Sequence, residues 1–318
     1  MVYKLEPLRP VSQGVRTIAA SQIEGVLSAF GGEPLSAKAV HETRKALKRL
    51  RALLSLVRGG LAADDLRRER SRLRTIARSL AGARDAHVML ETAAALHDLG
   101  LPRDCRSAGR AVIARLEARR DEAGAQIAAG LGELPVERLR EALGAMRTLP
   151  VAELSFADVL DGFTRTYARG HELHEVVFEL GTDDERIHDF RKEVQQHWRH
   201  LQLLLNAWPK ALRPHCTLAR ELSETLGKDH DFAMLTVFAR DTAAVEEDRG
   251  KRFGAYIQLC AQEQGKLRHH AGLLARRLYA EKPKSIRRRI KVYWETAEAL
   301  VDKTVQEKDS AKVIPLQR

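Results

Sequence analysis

The chain has 318 residues, 44% of them hydrophobic and 31% charged, so it can bury a core and is not globally disordered. Its 54 Lys+Arg outnumber 43 Asp+Glu, and the net charge of +11 with a pI of about 9.8 points to a polyanionic partner: nucleic acid, a phosphate polymer or an anionic membrane surface. No stretch approaches the roughly 18 apolar residues of a membrane span, the N-terminus has no apolar signal-type run, and Cys105, Cys216 and Cys260 are too far apart for a disulfide framework, so the cytoplasm is the expected compartment.

Ala, Leu, Arg and Glu dominate, strand-like alternation is absent, and Gly and Pro gather at breaks, which predicts an all-α fold. The breaks fall at Gly31-Gly32, Gly59-Gly60, Gly100 to Pro102, Gly130 to Pro135, Pro150, Gly181, Pro209, Gly250 and Pro283. Helices are predicted between them over 11–30, 35–58, 63–98, 103–129, 153–180, 183–206, 210–244, 250–280 and 284–303, with a polar tail fraying after Lys303.

The helix over 35–58 is the most informative. At about 100° per residue, His41, Arg44, Lys45, Lys48, Arg49 and Arg51 fall within about 80° of His41, while Leu47, Leu50, Leu53, Leu54 and Val57 face the other way. A solvated face normally mixes signs at i,i+4, and here only Glu42 is acidic. An anion lying on the face would relieve the repulsion. The next helix adds a stripe of Arg67, Arg70, Arg74 and Arg78. Arginine forks and lysine point charges together suit oxyanions.

The helix over 183–206 repeats the pattern as His188, Arg191, Lys192 and Arg199, with Gln195 and Gln196 where the first copy is basic. Ile187, Phe190, Val194, Leu201 and Leu204 form its apolar side, and His197 falls with them as a core histidine. The repeat extends further. Arg84-Asp85 ends 44 positions after His41, and His230-Asp231 ends 43 positions after His188. Arg213 and Arg220 answer the arginine stripe, with Glu224 in place of Arg78. The chain thus divides into a first bundle over 5–130, a linker over 131–152, a second bundle with a C-terminal helix over 153–303, and a flexible tail over 304–318.

Each acidic residue beside the basic field, Asp85 and Asp231, is read as orienting a neighbouring Arg or His. His188 with His230-Asp231 is similar to the H…HD pattern of metal-dependent phosphohydrolases. However, Arg84 stands where the first copy would need His, and Arg and Lys one turn away would repel a divalent cation. No catalytic residue, metal or cofactor is expected. Aromatics make up 5% of the chain, and Trp198, Trp208 and Trp294 are too scattered to stack bases and read as bundle packing, which places nucleic acid second as a partner.

The ordered motifs resemble the conserved-histidine α-helical domain, the CHAD family. They are H-x-x-R-K in both halves, IHDFRKEVQQHWRHLQLL at 187–204, Trp208-Pro209, LSETLGKDHD at 222–231, LYAEKPK at 278–284 and RRRIKVYW at 287–294. The likeness spans roughly 5–300. It implies two four-helix bundles related by a pseudo-twofold axis, a basic central groove or pore, and a C-terminal helix. It also implies non-catalytic binding of inorganic polyphosphate, with targeting to polyphosphate granules. The matched positions offer His41, Arg44, Lys45, Lys48, Arg51, Arg74 and Arg78 from the first half as phosphate ligands. From the second half they offer His188, Arg191, Lys192, Arg199 and Arg220. Further positions are Arg16, Arg165 and Arg169, and Lys284 and Arg288 in a basic segment that either clasps the ligand's exit or is simply solvated. No E-x-E-x-K strand of the triphosphate-tunnel type is found, so a stand-alone module is expected.

Overall fold

A computed structural model describes residues 3–29, 37–80, 82–128, 136–151, 153–179, 184–245 and 251–311. The breaks expected at Gly31-Gly32, Gly130 to Pro135, Gly181 and Gly250 lie outside them. Eleven α-helices account for most of the described chain: α1 Val11–Ala29, α2 Ala37–Leu56, α3 Ala63–Arg78, α4 Gly82–Asp98, α5 Arg106–Ala128, α6 Val136–Arg147, α7 Phe156–Glu179, α8 Asp184–Leu203, α9 Pro209–Val245, α10 Lys251–Leu278 and α11 Pro283–Ala311. Single 3-10 turns at Arg58–Gly60 and Leu205–Ala207 follow α2 and α8.

Local chemistry sets the ends. Gly100 takes φ +86° just after α4 and donates its N–H to the His97 carbonyl, a left-handed cap that Pro102 then seals. Pro209 and Pro283 open α9 and α11, where their missing N–H costs nothing.

Three stretches differ from the sequence reading. The helix expected over 63–98 is two helices: Ser79 caps α3, its hydroxyl donating to the Ile76 carbonyl and its N–H to Thr75, and Gly82 begins α4. The equivalent part of the second half runs unbroken as α9. The linker over 131–152 carries α6, whose Leu139, Ala142 and Met146 are buried at helical spacing against the first core. And α11 continues past Lys303 to Ala311.

Packing repeats with the sequence. α1 packs on α2 and α6 as α7 packs on α8 and α11, and α4 packs on α5 as α9 packs on α10. Across the halves, α2 meets α8 and α4 meets α9. The larger core joins Ile18, Leu50, Leu53 and Leu54 of the first half to Phe163, Tyr167, Phe190, Leu201 and Trp294 of the second. A smaller core joins Met89, Leu96 and Val112 to Phe238, Phe253 and Tyr256. Each core therefore draws on both halves. α2 and α8 are pinned directly, since the buried His200 ring nitrogen Nε2 lies 2.9 Å from the Ala52 carbonyl oxygen. Close approach also needs Gly162, where an added Cβ would lie 1.8 Å from the Leu56 carbonyl oxygen. No helix among the described residues is long and apolar enough to cross a membrane.

Of the three tryptophans, only Trp294 is a core residue, stacked on Phe156 at 4.3 Å. Trp208 is 48% exposed and rests edge-on against Tyr293. Trp198 is half-buried and turns towards the cavity described next.

Candidate anion-binding site

Where α2 and α8 meet, with α3, α4 and α9 closing the sides, a cavity of about 1030 Å³ opens. α2 contributes His41, Arg44, Lys45, Lys48 and Arg51, the face its periodicity isolates opposite the buried leucines. α8 contributes His188, Arg191, Lys192 and Arg199, together with Gln195 and Gln196. Arg70 and Arg74 reach in from α3, and His230, Asp231 and Glu224 from α9. Val88 and Met89 of α4, Met234 of α9 and Trp198 of α8 add apolar lining. Nine lysines and arginines thus face the space against two carboxylates.

The two walls carry matching braces. Lys45 pairs with Glu42 at 3.4 Å, and Lys192, its counterpart, pairs with Asp189 at 2.8 Å. Arg44 donates to the Leu80 carbonyl at 3.1 Å, holding its guanidinium near the end of α3. Arg199 is buried, donates to the Gln195 carbonyl at 2.8 Å and lies 5.1 Å from the centre of the Trp198 ring.

The cations around the cavity disfavour one another's charged forms. Lys48 is reached by solvent yet ringed by protein, and burial, then Arg199, Arg191 and Arg44, push its pKa down to about 8 against the pull of Asp231. Burial, then Arg49, Arg51 and Arg191, lower Arg199 to about 10, with Tyr3 opposing. Arg51 is lowered by burial and Arg74, and Arg70 by burial and then Arg58, Arg51 and Arg74. Arg191 is lowered by burial, with Asp231 and Asp229 opposing. For an arginine these shifts mean a destabilised cation, not a neutral one.

Ten of the sequence-derived ligands meet here: His41, Arg44, Lys45, Lys48, Arg51, Arg74, His188, Arg191, Lys192 and Arg199. Others do not line the cavity. Arg78 is exposed in the last turn of α3, and Arg220 is exposed with its Nε 4.0 Å from Glu224. Arg16 donates its Nε to the Leu149 carbonyl at 2.9 Å, tying α1 to the end of α6. Arg165 is exposed, and Arg169 pairs with Glu172 at 3.3 Å, both on α7. Lys284 and Arg288 are exposed on α11, which packs on α7 and the 3-10 turn at Leu205. Arg49 leaves its expected face, donating to Gln22 and lying over the Tyr3 ring. Arg67, on the outward part of its stripe, pairs with Asp64. The side chains of Arg84 and Asp85 lie outside the described residues.

Two basic lining residues are not among the ligands that the family resemblance offers. Arg70 lies one turn from Arg74 on the arginine stripe of α3. His230 belongs to the His-Asp pair that ends the second repeat. Asp231 lies close enough to Lys48 and Arg191 to favour their charged forms. Asp229, two residues earlier, is buried and accepts from Arg268 Nε at 2.7 Å, bracing α9 against α10. His197 is a core histidine, its Nε2 3.4 Å from His215 Nε2 and its pKa held well below the usual value by burial.

A family model described as "CHAD domain" matches residues 20–240. Among solved structures the chain is similar to PptA from Streptomyces chartreusis, with a TM-score of 0.65 and 16% identity over 86% of this chain and 100% of that one. It is also similar to the CHAD domain from the plant Ricinus communis, with a TM-score of 0.58 and 15% identity over 92% of this chain and 95% of that one. None of the curated proteins matches.

Proposed function

The chain belongs to the CHAD domain family, and we propose that its basic cavity binds inorganic polyphosphate without transforming it. The observation that carries this reading is the crowding of nine lysines and arginines around one space that only two carboxylates, Asp231 and Glu224, help to line, with Glu42 and Asp189 pairing Lys45 and Lys192 at its edge. Such a field is costly when empty and favourable when a chain of phosphates threads it, each unit accepting charge-assisted hydrogen bonds. Family membership supports binding over catalysis, since CHAD domains are in general binding domains. Duplex nucleic acid is disfavoured because the charge lines a cavity and not an open ridge, and a duplex presents its phosphates on a wide cylinder. Binding would recruit the protein to polyphosphate granules in the cytoplasm.

The test is calorimetric titration of long-chain polyphosphate into the intact protein and into a Lys45→Glu/Lys192→Glu double variant. Both lysines are exposed, so charge reversal leaves the cores untouched. Affinity in the native chain should fall steeply with salt as counterions are released, and the double variant should lose binding with an unchanged circular-dichroism spectrum. Unaltered affinity in the folded variant would remove the cavity as the site. Competition decides the partner: polyphosphate should displace DNA at far lower phosphate concentration than the reverse.

A further inference from the structure

Outside the cavity, α7 brings together His171, His174 and Glu175. One ring nitrogen of each histidine and a carboxylate oxygen lie within 4.8 Å of one another, a grouping found nowhere else among the described residues. We propose that these three side chains form a site for a divalent transition-metal ion of the zinc type.

Spacing supplies the first argument. Residues i, i+3 and i+4 share one helix face, and metal sites on helices use both intervals, as in Glu-x-x-His and His-Glu-x-x-His. Distance supplies the second. Bonds of about 2.0–2.1 Å to a tetrahedral ion place neighbouring ligand atoms roughly 3.4 Å apart. His171 Nδ1 and Glu175 Oε1 already stand 3.6 Å apart. The His174 ligand atom lies within 4.8 Å of both.

The rings are also pre-arranged. His174 Nδ1 lies 2.8 Å from the His171 carbonyl oxygen, and donating its proton there leaves the lone pair on Nε2 for a metal. The Tyr279 ring stacks on His174 with centroids 5.6 Å apart and meets His171 edge-on at 6.4 Å. Tyr279 reaches this position because residue 170 is glycine: a Cβ there would lie 2.2 Å from its hydroxyl oxygen. Two imidazoles and one carboxylate select borderline ions such as Zn²⁺, Ni²⁺ or Co²⁺ over Mg²⁺ or Ca²⁺. Three protein ligands leave the remaining coordination to water.

Zinc chloride titrated into the untagged, chelator-stripped full chain tests this, with affinity read by calorimetry. One equivalent should bind, and His174→Ala and Glu175→Gln should each weaken it by at least about tenfold, the loss that removing even an outer-sphere partner produces. Glu175 is exposed, so its variant keeps the fold, which circular dichroism verifies. Zinc binding should persist in a His188→Asn/His230→Asn variant. The proposal is overturned by the absence of stoichiometric binding, by unchanged affinity in both α7 variants, or by loss of binding in the cavity variant, which would put the ion there instead.

Discussion

The imidazoles of His188 and His230 lie 5.3 Å apart, centre to centre, with their planes tilted by 32°, one from each helix of the cavity's second wall. Burial, then Lys192 and Arg191, lower the pKa of His188 against the pull of Asp189. Burial, then Arg191, His188 and Lys48, bring His230 to about 4. Lys48 stands at about 8 in the same field. A bound polyanion reverses the local field and raises all three, so binding takes up protons and strengthens as pH falls. Lys48 supplies the uptake near pH 8 and above. The histidines supply it between about 4, where His230 titrates in the free cavity, and their higher bound-state values. Calorimetry in two buffers of different ionisation enthalpy should show net uptake at pH 8 that disappears in Lys48→Met. The affinity profile between pH 5 and 7 should flatten in His188→Asn/His230→Asn. A profile flat in the native chain would contradict the assignment.

The cavity was legible where helical periodicity alone decides a side chain's direction. His41, Arg44, Lys45 and Lys48 sit at i, i+3, i+4 and i+7, and all four line it. Arg49, at the edge of the same arc, goes instead to Gln22 and Tyr3, because a neighbouring helix offers it partners that the pattern cannot show. Arg16, Arg165 and Arg169 lie off the cavity for the same reason: which way α1 and α7 turn depends on what packs against them. His230 ends the second repeat in the sequence, but its place beside His188 depends on how α9 packs on α8, which spacing alone does not give. The helix α6 was passed over beside Pro135, although Leu139, Ala142 and Met146 carry its period.

Arg199 sets stability against binding. It is a buried cation with Arg49, Arg51 and Arg191 as like-charged neighbours. Replacing it with an apolar side chain of similar length removes desolvation and repulsion together, and such replacements are commonly neutral or stabilising. Arg199→Met should therefore leave the urea midpoint unchanged or raise stability by about 1 kcal/mol, while weakening polyphosphate binding about tenfold through one lost charge-assisted hydrogen bond. Lys192→Met, at an exposed position, should lower affinity with a stability change within about 0.5 kcal/mol. Marked destabilisation by Arg199→Met would show that its contacts with Gln195 and Trp198 outweigh its charge.

Acid should unfold the chain through its buried histidines. His200 is fully buried against the Ala52 carbonyl, and burial first, then Arg199, lowers it to about 4. His215 is likewise at about 4, and His197 lies well below its ordinary value. The unfolded chain binds protons at these sites below about 6.5 while the native state does not, so stability is complete above that pH and declines as pH falls towards 4. His200 alone accounts for a loss on the order of 3 kcal/mol across this window. Urea midpoints at pH 7.5 and 4.5 measure it. His200→Asn should be less stable at pH 7.5 and show a shallower decline, and an unchanged decline would assign the acid sensitivity elsewhere.

Packing behind the cavity should reach its chemistry. A methyl group at Gly162 would sit 1.8 Å from the Leu56 carbonyl oxygen and 2.6 Å from its carbon, so the obstacle is backbone and no rotamer change relieves it. Gly162→Ala must push α7 away from the end of α2, at a cost of about 1–3 kcal/mol or more. Gly144 in α6 meets nothing within 4 Å, and Gly144→Ala should instead stabilise by about 0.4–1 kcal/mol through the unfolded chain. Urea midpoints at constant m-value separate the two. Because α2 carries His41, Arg44, Lys45, Lys48 and Arg51, displacing its end also disturbs the register of the first wall against Arg199. Gly162→Ala should therefore weaken polyphosphate binding with no change in charge, whereas Gly144→Ala leaves it intact. If Gly162→Ala destabilised the fold but kept full affinity, the wall would be set by α3 and α8 alone.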